Sequence, residues 1–147
     1  MQKVKILLVE DNEGDIVLTR EALEDSRIIG HVDVARDGSA AMRYFDEILR
    51  DEHIQLPDMI LLDINLPKKN GHEVLQYVKE SEELRHIPVI MLTTSSSERD
   101  IVESYRHYAN CYITKPVDVN NFVDVISHIE NYWFNVVQLP NKKNENG

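Results

Sequence analysis

Short apolar runs and stretches of helical spacing alternate five times along the chain. Ile6-Leu7-Leu8-Val9 is continuous, as expected of a strand buried on both faces. A helical stretch follows over about Asp15 to Asp25, and Val32 to Ala35 reads as a second strand. From about Ser39 to Leu49 the spacing puts Ala41, Tyr44, Phe45, Ile48 and Leu49 on one helical face. Pro57 and Asp58 punctuate before Met59-Ile60-Leu61-Leu62, the third strand, which stops at Asp63. Pro67 and Asn70-Gly71 mark a loop and turn, after which Val74, Leu75 and Val78 give the next helix its buried side. Val89-Ile90-Met91-Leu92 follows Pro88 as a fourth strand. Ser95-Ser96-Ser97-Glu98 forms a capping box, opening a helix with Ile101, Val102, Tyr105 and Tyr108. Cys111-Tyr112-Ile113-Thr114 is the fifth strand. Asp118 caps a last helix carrying Phe122, Val125, Ile126, Ile129 and Trp133 at helical spacing.

Five such alternations predict an α/β fold: a doubly wound, five-stranded parallel sheet with helices on both faces and right-handed crossovers. Ligands of open sheets bind outside the carboxyl ends of the strands, so that rim is where chemistry is sought. Glu10-Asp11 follows the first strand, and Asp63-Ile64-Asn65 closes the third. Thr93, with Thr94 and Ser95 behind it, closes the fourth, and Thr114-Lys115-Pro116 the fifth. Three carboxylates, a hydroxyl and an ammonium then converge.

Such acids repel: two unit charges about 4 Å apart interact by roughly 4 kcal/mol at an effective dielectric near 20. The site must protonate one of them or bind a cation. Mg²⁺ suits all-oxygen ligands and keeps waters that a phosphate oxygen can replace. Glu10, Asp11 and Asp63 are therefore its candidate ligands, with the backbone carbonyl of Asn65. Asp63 ends the most apolar strand, and a rigid aspartate can attack phosphorus to give an acyl phosphate. Lys115 supplies a positive charge and Thr93 a hydroxyl for the phosphoryl oxygens. Singly, each has a plainer role: Asp11 as a helix cap, Asp63 as a strand terminator, Lys115 as a surface lysine, Thr93 as a local backbone partner. The four in chain order, each at its own strand end, argue for a site.

Composition narrows the partners. The 147 residues favour one domain, large enough to bury roughly two-thirds of its unfolded surface. A net charge of −10 opposes binding to nucleic acid and to anionic lipid. The lone Cys111 makes no internal disulfide and fits a reducing compartment. No apolar run reaches the roughly 18 residues of a membrane span, and Met1-Gln2-Lys3-Val4-Lys5 leads straight into a strand without a signal peptide. The expectation is a cytoplasmic protein. The histidines His31, His53, His72, His86, His107 and His128 are scattered without metal-binding spacing and read as surface residues.

Ile6 to Asn12, Leu61 to Pro67, Leu92-Thr93-Thr94 and Ile113-Thr114-Lys115-Pro116 together resemble the signature segments of two-component response-regulator receiver domains, over about Lys3 to Ile129. The resemblance implies a flavodoxin-like receiver fold with Mg²⁺ at Glu10, Asp11, Asp63 and the Asn65 carbonyl. It implies phosphorylation of Asp63 by a sensor histidine kinase or phosphotransfer protein, and a cis peptide before Pro116. It also implies a switch in which Thr93 and Tyr112 move together. Thr94 departs from the smaller residue usual there, which bears on the lifetime of the phosphorylated form. Asn131 to Phe134, Leu139-Pro140 and Leu66 to Gly71 resemble the cyanobacterial phytochrome branch, pointing to a phytochrome kinase.

The expected organisation is a receiver domain over residues 1–134 and a C-terminal extension over 135–147, apolar and then polar and disordered. Too little chain follows the last helix for a DNA-binding module, so the expected output is contact with a downstream protein. Tyr132, Trp133, Phe134, Val136, Val137 and Leu139 either fold back onto the domain or serve a homodimer along the last helix. Two enzyme-like or cofactor-binding alternatives fit less well. A phosphatase of the aspartyl-phosphate type needs an acid where Asn65 stands. A flavin-binding module needs a phosphate loop that the acids of Glu10 to Asp15 would repel. A receiver-like scaffold that no longer takes phosphate would be expected to have lost site residues that are all present here.

Overall fold

The computed structural model describes residues 3–24, 29–64, 66–93 and 111–115, with positions 120 and 124. In chain order the elements are β1 (Val4–Val9), α1 (Glu13–Glu24), β2 (Ile29–Ala35), α2 (Gly38–Arg50), β3 (Met59–Asp63), α3 (Gly71–Glu80), β4 (Val89–Thr93) and β5 (Cys111–Thr114). The strands form one parallel sheet in the order β2-β1-β3-β4-β5.

The apolar runs explain the layering. Successive strand side chains point to opposite faces, so each run feeds two cores. Leu7, Val9, Ile60, Leu62, Val89 and Met91 pack with Ala41, Phe45 and Ile48 of α2 and Val74, Leu75 and Val78 of α3. Ile6, Leu8, Leu61, Ile90, Leu92 and Ile113 pack with Ile16, Ala22 and Leu23 of α1. The sheet is thus covered on both sides, as strands without polar alternation require. Its chain order reverses direction at β1: β2 lies on one side of it and β3 on the other, which leaves a crevice at their carboxyl ends.

The elements run slightly longer than their apolar runs. β2 begins at Ile29 rather than Val32, since pairing with β1 extends past the apolar stretch. On α2, Ala41, Phe45 and Ile48 are buried but Leu49 is 38% exposed. It lies about 100° around the helix from Ile48, which takes it past the edge of the apolar stripe. Asn70-Gly71 is no separate turn: Asn70 caps α3, its side chain accepting from the Glu73 backbone N–H, and Gly71 is the first helical residue. His31, His53 and His86 are exposed as expected, while His72 is half-buried. The helix read from Ser95, most of the last helix, the Lys115–Pro116 peptide bond, Thr94, His107, His128 and the C-terminal extension lie outside the described residues.

Candidate functional site

The described side chains of the site come from the carboxyl ends of β1, β3 and β5. β1 ends at Val9, and the Glu10 backbone N–H is tied to the Ala35 carbonyl across the β1–β2 boundary at 3.0 Å. That fixes Glu10 with its side chain turned inward, fully buried. Asn12, not Asp11, caps α1: its side-chain oxygen accepts from the Asp15 N–H at 2.9 Å, and its carbonyl from the Ile16 N–H at 2.9 Å. The capping role considered for Asp11 is thereby filled by its neighbour, and the exposed Asp11 carboxylate is left for the site.

Asp63 closes β3 between β1 and β4. It is 4% exposed, and the following Ile64 N–H is held by the Leu92 carbonyl at 3.0 Å. Glu10, Asp11 and Asp63 bring one carboxylate oxygen each within 4.8 Å of one another. Lys115, next after β5, reaches across to them. Its Nζ lies 2.6 Å from Glu10 Oε1, 3.0 Å from Asp15 Oδ2 and 3.1 Å from Asp63 Oδ2, with only 8% of the side chain exposed.

Two shifts follow from this crowding. Burial raises the Glu10 pKa, the Lys115 ammonium pulls it down, and the neighbouring Asp63 carboxylate pushes it up again. The balance stands at about 7, against an ordinary 4.5. Burial disfavours the Lys115 ammonium, but Glu10, Asp15 and Asp63 outweigh it and hold the lysine protonated beyond its usual range. Glu10 Oε1 is wholly buried and receives no well-directed hydrogen bond, although the ammonium is at contact distance. An all-oxygen set of three carboxylates, one of them tending to keep its proton, is a donor set that a hard divalent cation fits.

Of the residues expected at the site, Glu10, Asp11, Asp63 and Lys115 are brought together. Thr93 ends β4 in register with Thr114 of β5, and its side chain, like all of Asn65, lies outside the described residues. Tyr112 is half-buried against the core cluster on the α2–α3 side of the sheet.

Two contributors were not anticipated from the sequence. Asp15 sits on the first turn of α1 and ion-pairs with Lys115. The signal was its place at the third helical position, on a helix starting at the sheet's carboxyl rim. Gly71 packs on the backbone of Asp63 and Ile64: a Cβ there would collide with the Asp63 carbonyl oxygen and stand 2.7 Å from Ile64 Cα. Its N–H donates to the Ile64 carbonyl at 2.9 Å, so α3 begins directly behind Asp63. Gly38, at the start of α2, likewise leaves room for the Lys69 carbonyl of the loop between β3 and α3. In that loop Lys68 adopts φ 65°, and its Nζ lies 3.4 Å from Asp37, the cap of α2.

Residues 6–127 match the response regulator receiver domain. The response regulator Rcp1 of Synechocystis sp. is 42% identical over 135 residues, covering 92% of this chain and 92% of that protein. A solved structure of the Mn²⁺-bound form of Rcp1 superposes with a TM-score of 0.70 over 88% of this chain and 94% of that one. The phosphorylated cyanobacterial phytochrome response regulator RcpA superposes with a TM-score of 0.74 at 44% identity, covering 90% of this chain and 94% of that one. For the bacteriophytochrome response regulator AtBRR the TM-score is 0.76 at 45% identity, covering 86% of this chain and 92% of that one. No helix among the described residues is long and apolar enough to cross a membrane.

Proposed function

The chain belongs to the response regulator receiver family of two-component signalling, with phytochrome response regulators among its relatives, and from that premise we propose that Asp63 accepts a phosphoryl group from the phosphohistidine of a sensor kinase or phosphotransfer protein. One observation carries the reading: the nearly buried Asp63 carboxylate has a carboxylate oxygen of Glu10 and of Asp11 within 4.8 Å and the Lys115 ammonium at 3.1 Å.

In this reading Glu10, Asp11, Asp63 and the Asn65 backbone carbonyl hold Mg²⁺. The cation supplies charge neutralisation for the incoming phosphoryl oxygens. An Asp63 oxygen attacks phosphorus; the P–O bond forms as the P–N bond breaks, and the imidazole leaves, taking up a proton. Lys115 keeps a fixed positive charge beside the acceptor and binds a phosphoryl oxygen, while Thr93 offers its hydroxyl. The protein acts as a cytoplasmic switch, catalysing only its own phosphotransfer and autodephosphorylation.

The added charge of about −1.5 to −2 draws Thr93 inward and lets Tyr112 turn, which alters the surface presented to a downstream protein. Residues 1–134 make up the receiver, and the apolar positions from Tyr132 to Leu139 in the C-terminal segment contribute to a homodimer. Truncation after Glu130 should then lower the sedimentation coefficient; unchanged sedimentation removes the dimer. A phytochrome is the kinase class favoured by the relatives.

The test of the central step is labelling with acetyl phosphate and Mg²⁺, followed by intact-mass measurement. The wild type should gain one phosphoryl mass and Asp63→Asn none. Equal labelling of Asp63→Asn would remove the assignment.

A further inference from the structure

The Lys115 ammonium has three N–H bonds, and three carboxylates meet it: Glu10 at 2.6 Å, Asp63 at 3.1 Å and Asp15 at 3.0 Å. Two of these belong to the acid cluster proposed above to hold a cation, and Asp15 does not. As it stands, the ammonium serves as the cluster's internal counterion. A dication drawing on the same carboxylates repels it, so Lys115 must give up part of its hold on Glu10 and Asp63. Of its three partners, only Asp15 is left to keep it.

We infer that Asp15 is the positioning residue onto which Lys115 withdraws when a divalent cation binds Glu10 and Asp63. Several observations fit that role. The Asp15 side chain is 30% exposed against 6% for Asp63 and 0% for Glu10, so moving the charge toward it relieves desolvation. Its backbone is held by the Asn12 cap at the start of α1, so its position does not depend on the metal. The lysine stem is long and flexible, and a small swing keeps Nζ within reach of a phosphoryl oxygen on Asp63. Without Asp15, Lys115 would settle wholly on the metal's own ligands and compete with the cation for them.

The inference rests on the proposed metal site, and a double-mutant cycle in Mg²⁺ affinity separates the two. Mg²⁺ alone is titrated by calorimetry at constant ionic strength, with no phosphoryl donor, into wild type, Asp15→Asn, Lys115→Met and the double variant. Thermal unfolding checks that each is folded, and Asp15→Ser serves as a second variant of the first position. Asp15→Asn should weaken Mg²⁺ binding about fivefold, the lower end of ordinary coupling between sites. In the Lys115→Met background the same change should alter affinity less than twofold, because no ammonium is left to withdraw. A through-space charge effect weakens binding equally in both backgrounds, and that result overturns the inference. Asp11→Asn reports on the site itself: if it binds Mg²⁺ as well as wild type, the metal site falls and the inference with it. If Asp11→Asn loses binding while the cycle shows no coupling, the site stands and the inference alone falls.

Discussion

Gly71 and Asp63 are in backbone contact: the first residue of α3 leaves no room for a Cβ against the Asp63 carbonyl oxygen, and its N–H ties down the Ile64 carbonyl at 2.9 Å. The helix that follows β3 is therefore also the wall behind Asp63. Gly71→Ala should destabilise the protein by about 1–3 kcal/mol, the usual cost of forcing a methyl into packed structure. It should also slow labelling by acetyl phosphate, since the atoms that must move carry Asp63. Urea denaturation gives the first effect and the labelling rate the second. A variant of wild-type stability and rate would mean that the loop yields without disturbing Asp63.

The pH dependence of the metal-free protein follows from Glu10. Its pKa in the fold, about 7, lies above the ordinary 4.5, so the folded state favours the protonated form. Its contribution to stability is full below pH 4.5, declines as pH rises, and is lost above pH 7. The decline is about 3 kcal/mol by linkage. Glu10→Gln should flatten that slope and make the metal-free protein more stable than wild type at pH 8, but not at pH 4. Mg²⁺ requires the ionised carboxylate, so its binding at pH 6 should release protons. Calorimetry in two buffers of different ionisation enthalpy measures that release.

On α2 the two adjacent residues Ile48 and Leu49 should differ sharply. Ile48 is 5% exposed and Leu49 38%. Ile48→Ala should cost about 2–5 kcal/mol, the range for a buried aliphatic truncation, and Leu49→Ala less than about 1 kcal/mol. Equal losses would place both on the buried face.

That pair also shows how far the sequence could be read. The five apolar runs and their order announced the parallel sheet, because a strand covered on both faces has no polar alternation to hide it. The same logic placed Glu10, Asp11, Asp63 and Lys115 at one rim, since each directly follows or ends such a run. What stayed hidden were contacts set by three-dimensional approach rather than by pattern. Leu49 satisfied the apolar spacing, yet the stripe is narrower than the count of apolar residues. Gly71 resembled half of a turn, because the carbonyl it accommodates lies eight positions earlier in the chain. Asp15 looked like an ordinary acid in a helix's first turn, where the macrodipole favours any carboxylate. Its pairing with Lys115 spans 100 positions, and no local signal announces it.

Removing the lysine should make the protein depend on metal. Lys115 balances the buried Glu10 and Asp63 carboxylates and the part-exposed Asp15. Breaking one partner out of a buried ion pair costs about 3–5 kcal/mol when the remaining charge has no outlet. Here Glu10 can take up a proton, so Lys115→Met should lose less, about 2–3 kcal/mol at pH 7.5, within the 5–15 kcal/mol typical of a domain. The vacated carboxylates should then bind Mg²⁺ more tightly than in wild type, because the internal counterion no longer competes. Ligand binding to the native state stabilises by about 2.7 kcal/mol when the ligand is at roughly 100 times its dissociation constant. Saturating Mg²⁺ should therefore restore most of the lost stability in Lys115→Met and add less to wild type. Labelling by acetyl phosphate should still fall, since the cation does not replace the hold on a phosphoryl oxygen proposed for the lysine. Thermal unfolding with and without Mg²⁺, read beside the labelling rate, separates the two roles of the residue. A variant that is metal-indifferent in stability would mean that Lys115, rather than a divalent ion, is the cluster's only counterion.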